Sequence, residues 1–173
     1  YRTWTRGVIR GRGVTSWKIT SRTDDRMLWP YLDGELVELA ALPPKMSAYL
    51  EEQEAALRAR SDLGSSADDF WRLFRVQEGM EQAKVVWSDL SCWMEAACVE
   101  SDSVPLNTTY YIACQDPLRA WLLTAWLNAR VTRHFLRQLA ERANQDYRRH
   151  FGWVVASMKL PVRWADWLCG APD

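Results

Sequence analysis

The sequence has no net charge, only two histidines, no paired cysteines and no long apolar run, and each shortage removes a class of protein. The four cysteines, at 92, 98, 114 and 169, form no C-x-x-C pair and have no histidine at metal-ligand spacing. A metal centre is therefore not expected, and the thiols read as reduced and mostly buried. The apolar runs fall far short of the ~20 residues a membrane helix needs, and no signal-peptide pattern is present, so the expected setting is cytoplasmic with no membrane partner. Glycine is sparse too, and Gly7, Gly11 and Gly13 match neither the dinucleotide fingerprint nor the P-loop, which requires Gly-Lys followed by Ser or Thr. Tight turns are their expected role. Asp33, Glu35 and Glu38 lack the following Lys of a metal-dependent nuclease, and no nucleophile with a base stands out, so no catalytic residue is assigned.

What is present is a globular composition rich in tryptophan. With 173 residues, 48% hydrophobic and 25% charged, the chain fits one domain, or at most two small ones, with a real core. Eleven tryptophans exceed what such a core needs, which leaves flat aromatic faces for partners or for stacking on bases. The charges are segregated. Residues 1–30 carry seven Lys/Arg against two Asp/Glu, and residues 105–173 nine against five, whereas residues 31–104 carry six against fifteen. Two basic ends thus flank an acidic middle, and if they met they would form a face able to displace counterions from phosphates. Chance variation in the sign of a solvated surface is the alternative.

The chain is organised around residues 84–130. KVVW and TTYYIA read as strands that frame a polar connection, and Asp116-Pro117 reads as a helix start, with the carboxylate capping the first turn and Pro at a position that needs no N–H. A single helix over 116–143 would be roughly 42 Å long, so two are expected, Asp116 to Leu127 and about Ala129 to Ala143, with Asn128 as the cap between them. The second places Val131, Phe135, Leu139 and Ala143 at spacing four, with Arg130, Arg133, Arg137 and Arg142 elsewhere round it, and reads as scaffold. Upstream, residues 1–31 read as strands and turns. KMSAYLEEQEAALRAR reads as one amphipathic helix with Met46, Tyr49, Leu50 and Leu57 inward, and SDLGSSADD reads as a loop. SMKLPVRWADWLCGAPD, at the end, suggests a return strand and closing turn. The fold class expected is mixed α+β, with short strands and a helical subdomain.

VVWSDLS, PLNTTYYIAC, AWLLTAWLNAR and HFL, in that order, resemble the carboxy-terminal specificity (target-recognition) domain of adenine-specific DNA methyltransferases and methyltransferase-endonucleases of restriction-modification and phage-defence systems. GVIRGRGVTSW, LWPYLDG, the Pro-x-x-x-x-Tyr-Leu run at 44–50 and KLPVR fall in the same family order, so the resemblance covers almost the whole chain. One departure is Gly13, where an acidic residue commonly follows Arg-Gly-Arg. The resemblance implies sequence-specific recognition of double-stranded DNA while the target adenine is flipped into a catalytic domain upstream in the same chain. That upstream domain would hold S-adenosylmethionine. No cofactor is expected within residues 1–173, which lack the Asn-Pro-Pro-Tyr type of segment; the nearest string, Val104-Pro105-Leu106-Asn107, lacks the double Pro and the aromatic. The chain begins at Tyr1 without an initiator Met and so reads as part of a longer bacterial or archaeal protein.

The candidate DNA-binding residues follow from these segments. Arg10 and Arg12, sharing one face if on a strand, and Trp17 belong to the segment that lies near DNA in the resembled family; a solvated edge strand is the alternative. Trp71, Arg72 and Arg75 either stand beside nucleic acid or pack with Phe70 and Phe74 while the arginines reach outward. Ser101, Asp102, Ser103, Asn107 and Thr108 are short polar side chains able to reach base edges, or else simply turn residues. Arg148 and Arg149, with Tyr147, His150 and Trp153, suit contact with the phosphate backbone. The competing reading is a Trp-rich protein-interaction or structural module that binds no DNA.

Overall fold

Strand propensity and burial coincide at Lys84–Ser88, all five residues of which are buried. The computed structural model describes residues 4–20, 25–63, 67–77, 79–100 and 102–160. Its strands are β1 (Thr5–Ile9), β2 (Val14–Thr15), β3 (Lys18–Ile19), β4 (Arg26–Leu28), β5 (Tyr31–Leu32), β6 (Glu35–Leu36) and β7 (Lys84–Ser88). They continue with β8 (Leu90–Ser91), β9 (Ala96–Val99), β10 (Val104–Pro105), β11 (Thr109–Ala113), β12 (Glu141–Arg142) and β13 (Arg148–Arg149). The helices are α1 (Pro44–Glu52), α2 (Glu54–Arg58), α3 (Pro117–Asn128), α4 (Arg130–Leu139) and α5 (Gly152–Ala156). The fold is mixed α+β. Contacts divide it into two compact units, Tyr1–Arg6 with Arg26–Glu78, and Gly7–Asp25 with Gly79–Asp173.

In the first unit, Leu42, Met46, Leu50, Leu63 and Phe70 form the core. Pro44 opens α1 at a position with no N–H to lose. The single amphipathic helix expected from residue 45 is interrupted at Gln53 (φ −92°, ψ 3°), which ends α1 and starts α2. Met46 and Leu50, one turn apart, face the core and Leu57 packs against it as expected, but Tyr49 is 53% exposed and does not. Asp33 (φ 50°) and Gly34 (φ 84°) make the two-residue turn of the β5–β6 hairpin, the left-handed pair that matches strand twist.

In the second unit, β7 is the centre of an antiparallel sheet ordered β11-β7-β9. One face puts Val85 and Trp87 against Ala120, Leu123 and Leu127 of α3, Leu136 of α4 and Val154 and Val155 of α5. The other puts Val86, Ala97 and Val99 against Ile9 and Val14. Both faces are covered, which is why the strand reads as a continuous apolar run instead of alternating. Asp116 caps α3 as expected, its Oδ1 accepting from the Arg119 amide at 2.9 Å.

The junction between α3 and α4 differs from expectation. The break is at Ala129, whose backbone is extended (φ −60°, ψ 137°). Asn128 caps nothing there. Its Oδ1 accepts from the Ala96 amide (3.0 Å) and its Nδ2 donates to the Ala96 carbonyl (2.8 Å), which clamps the end of α3 to β9. Asn128→Ala would leave the Ala96 amide without a partner, so a loss of about 1–3 kcal/mol in urea-unfolding free energy is expected. α4 also ends earlier than expected, at Leu139, because Glu141–Arg142 leave the helix to pair with Arg148–Arg149, which pair in turn with Leu90–Ser91. Among the described residues no helix is long and apolar enough to cross a membrane.

Candidate nucleic-acid interface

The end of β7 gathers three segments that are far apart in the sequence. After β1, residues Gly11–Gly13 form a single 3₁₀ turn, so Arg10 and Arg12 do not share the face of a strand as expected. Arg12 projects from the turn, exposed and without an acidic partner among the described residues, and Arg10 pairs with Asp25 at 3.1 Å. The Gly11 amide donates to Thr108 Oγ1 at 2.9 Å. A Cβ at Gly11 would lie 2.3 Å from the Thr108 carbonyl oxygen and 2.8 Å from Ser88 Oγ, so only glycine lets the turn approach this closely.

Thr108 in turn accepts from the Asp89 amide through its carbonyl (3.1 Å), and Asp89 Oδ2 lies 3.5 Å from Arg149 Nη1. Asn107 and Thr108 are exposed at this rim. Trp17 stands at the tip of the β2–β3 hairpin with φ 70°, a strained value for a bulky residue, and is 50% exposed. Its amide donates to the Ala96 carbonyl (2.8 Å), beside Trp87 in register, which brings it to the same end of the sheet. Arg10, Arg12, Trp17, Asn107, Thr108 and Arg149 are thus assembled by backbone contacts onto one rim. The Arg10–Asp25 pair is exposed and of the kind that contributes under ~1 kcal/mol, whereas Asp89 in the Arg149 pair is partly buried.

Other candidates lie elsewhere. Val104 and Pro105 form β10, parallel to Val8 and Ile9, so the polar connection is not one loop. Ser103 is held beside Gly7, where a Cβ would meet its Oγ at 2.8 Å, a strand's length from Asn107 and Thr108. Asp102 is exposed on that same side of β10, and Ser101 lies outside the described residues, as do residues 161–173 of the expected return strand. In the first unit, Trp71 packs edge-on against Phe70 and its Nε1 donates to the Val37 carbonyl (3.0 Å). That is the packing role of the two weighed for it. The Arg72 carbonyl accepts from Arg60 Nη2 (2.7 Å), and Arg75 lies over the ring of exposed Phe74 (4.6 Å).

The Trp93 cluster and the burial of Lys84 were not anticipated from the sequence, and His150, expected beside the phosphate-contacting arginines, is not at the surface. Trp93 carries Arg137 and Arg133 over its ring, 4.4 and 5.9 Å from the centroid, with His134 edge-on at 5.0 Å. The signal was available, because Arg130, Arg133 and Arg137 at i, i+3 and i+7 lie on one helical face. His150 is fully buried, and among the described residues neither ring nitrogen has a partner at full hydrogen-bond geometry. Burial pushes its pKa down to about 4, and Arg137 and Arg148 act in the same direction, against a weaker pull from the Ser91 backbone. Lys84 is fully buried too, and desolvation lowers it to about 8 despite the nearby carboxylates of Asp102 and Glu81. Cys92, Cys98 and Cys114 are free thiols, with Cys98 pushed up to about 11 by burial.

A cleft of about 590 Å³ lined by Tyr110, Ile112, Leu123, Trp126 and Val155 also has Gln115 and Arg119 in its wall. Among the described residues no three His, Cys, Asp or Glu side chains converge as metal ligands. No protein-family model matches the chain, and no curated protein matches it. The rim combines guanidinium, indole, amide and hydroxyl groups, suited to holding phosphates and reading polar edges.

Proposed function

We propose that this chain is a DNA-recognition module, the target-recognition domain of an adenine-specific DNA methyltransferase or methyltransferase-endonuclease. The observation that supports it most is the convergence of residues 10–17, 107–108 and Arg149 on the rim at the end of β7. Arg10, Arg12 and Arg149 would set the register on phosphates, and Asn107, Thr108 and Trp17 would face the bases. The reacting adenine and S-adenosylmethionine would sit in a catalytic domain upstream in the same chain, in a bacterial or archaeal cytoplasm. The test is single-molecule methylation mapping of DNA from cells expressing the parent gene with and without this region. The expected result is one motif that vanishes on deletion. Methylation persisting at the same motif would remove the reading.

A second reading, a protein-contact module, draws on one specific feature. Val131, Phe135 and Leu139 are 70%, 49% and 39% exposed along the outer side of α4, while Thr132, Leu136 and Ala140 are buried. Methylation unaffected by the deletion would move this reading ahead.

A further inference from the structure

We infer that α4 and the β8–β13 pair carry a phosphate-binding site formed by Arg133, Arg137 and Arg148 around Trp93. It deepens the DNA-recognition reading, on which it depends only for the source of the phosphate.

The geometry is that of clustered, pre-oriented guanidinium groups. Arg133 and Arg137, one helical turn apart, both lie over the Trp93 ring, which restricts their rotamers before any ligand arrives. Arg137 is held further by Nη1 donating to the Cys92 carbonyl at 2.5 Å. The register of β13 sets Arg148 opposite Ser91, and Arg137 and Arg148 both act on the same buried imidazole of His150. Against three guanidiniums the one carboxylate paired with them among the described residues is Asp146, 3.5 Å from Arg137 Nη2 and itself 82% exposed.

The guanidinium nitrogens Arg133 Nε and Arg148 Nη1 are buried with no hydrogen-bond partner among the described residues. Buried donors are nearly always bonded, and a sealed, unbonded donor on a charged group is costly. A tetrahedral oxyanion supplies both the acceptors and the charge, and the guanidinium fork fits its geometry. Phosphate is favoured over a carboxylate because the surplus is two positive charges and because Arg130 extends the row along α4, exposed and with no acidic partner among the described residues.

Inorganic phosphate and a duplex backbone offer the same chemistry, and two measurements on the chain separate them. The first follows the two imidazoles by proton NMR as inorganic phosphate is added to the unaltered protein at constant ionic strength. His134, on the edge of Trp93, is expected to shift saturably, and the shift should vanish in Arg133→Gln/Arg148→Gln. The second is fluorescence anisotropy of a labelled 20-base-pair duplex against salt. The same double variant should bind about tenfold more weakly, with a log–log salt slope shallower by about two. A His134 response without duplex binding keeps the site, assigns it to a free or small-molecule phosphate and removes the DNA reading. Duplex binding with an unaltered slope in the double variant, together with a His134 signal indifferent to phosphate, overturns the site and leaves the DNA reading standing.

Discussion

Lowering the pH from 7 to 4 is expected to remove up to about 3 kcal/mol of stability through one side chain, His150. In the folded chain its imidazole is fully buried, and that burial lowers its pKa to about 4. The unfolded chain titrates near 6.5, so between those values it binds the proton that the folded chain refuses. The contribution is therefore fully present above pH 6.5 and is lost as pH falls through 4, at about 1.4 kcal/mol per pH unit at most. The charges of Arg137 and Arg148 work in the same direction as burial. Urea unfolding at intervals from pH 7 to 4 measures it against His150→Leu, which cannot titrate. Carboxylates elsewhere contribute equally to both proteins, so the difference isolates His150, and parallel curves would refute the assignment.

Gly11→Ala carries the second large effect. The new Cβ would sit 2.3 Å from the Thr108 carbonyl oxygen, which is backbone and cannot rotate away. Either the 3₁₀ turn or the start of β11 must move, at a cost of about 1–3 kcal/mol for the overpacking. The same displacement breaks the Gly11 amide bond to Thr108 Oγ1 and separates Arg12 from Asn107 and Thr108. Duplex binding should therefore fall by about tenfold or more, beyond what the loss of stability explains. Gly152→Ala is the control, because a Cβ there meets the Tyr110 ring at an ordinary 3.5 Å. Equal duplex affinity for Gly11→Ala and wild type would dissociate the rim from DNA.

Elements governed by neighbours in the chain were legible. The Asp116-Pro117 start of α3, the strands at 84–88 and 109–113 and the α+β class all follow from capping and side-chain shape, which act within a few residues. The orientation of α4 was not legible. Val131, Phe135 and Leu139 form one row at spacing four and Thr132, Leu136 and Ala140 another, and hydrophobicity alone favours the first. The second is buried because the Ala129 break and the Asn128 clamp set the helix's rotation. Asn128 was expected to cap a helix because capping is the commonest local use of its amide; a strand edge 32 residues away claimed it instead.

The sequence by itself determined where chain direction, caps and strand-forming runs occur, and that its basic residues collect toward the two ends. Only the tertiary structure decided that Arg12, Thr108 and Arg149 share a rim, that Ser103 does not, and that Trp71 packs inward. It also decided that His150 and Lys84 titrate far from their ordinary values. The physical reason is one of range. Propensity and capping act over a turn or a strand, whereas the Gly11–Thr108 approach joins residues 97 apart, and the desolvation of a buried ring depends on every element packed around it.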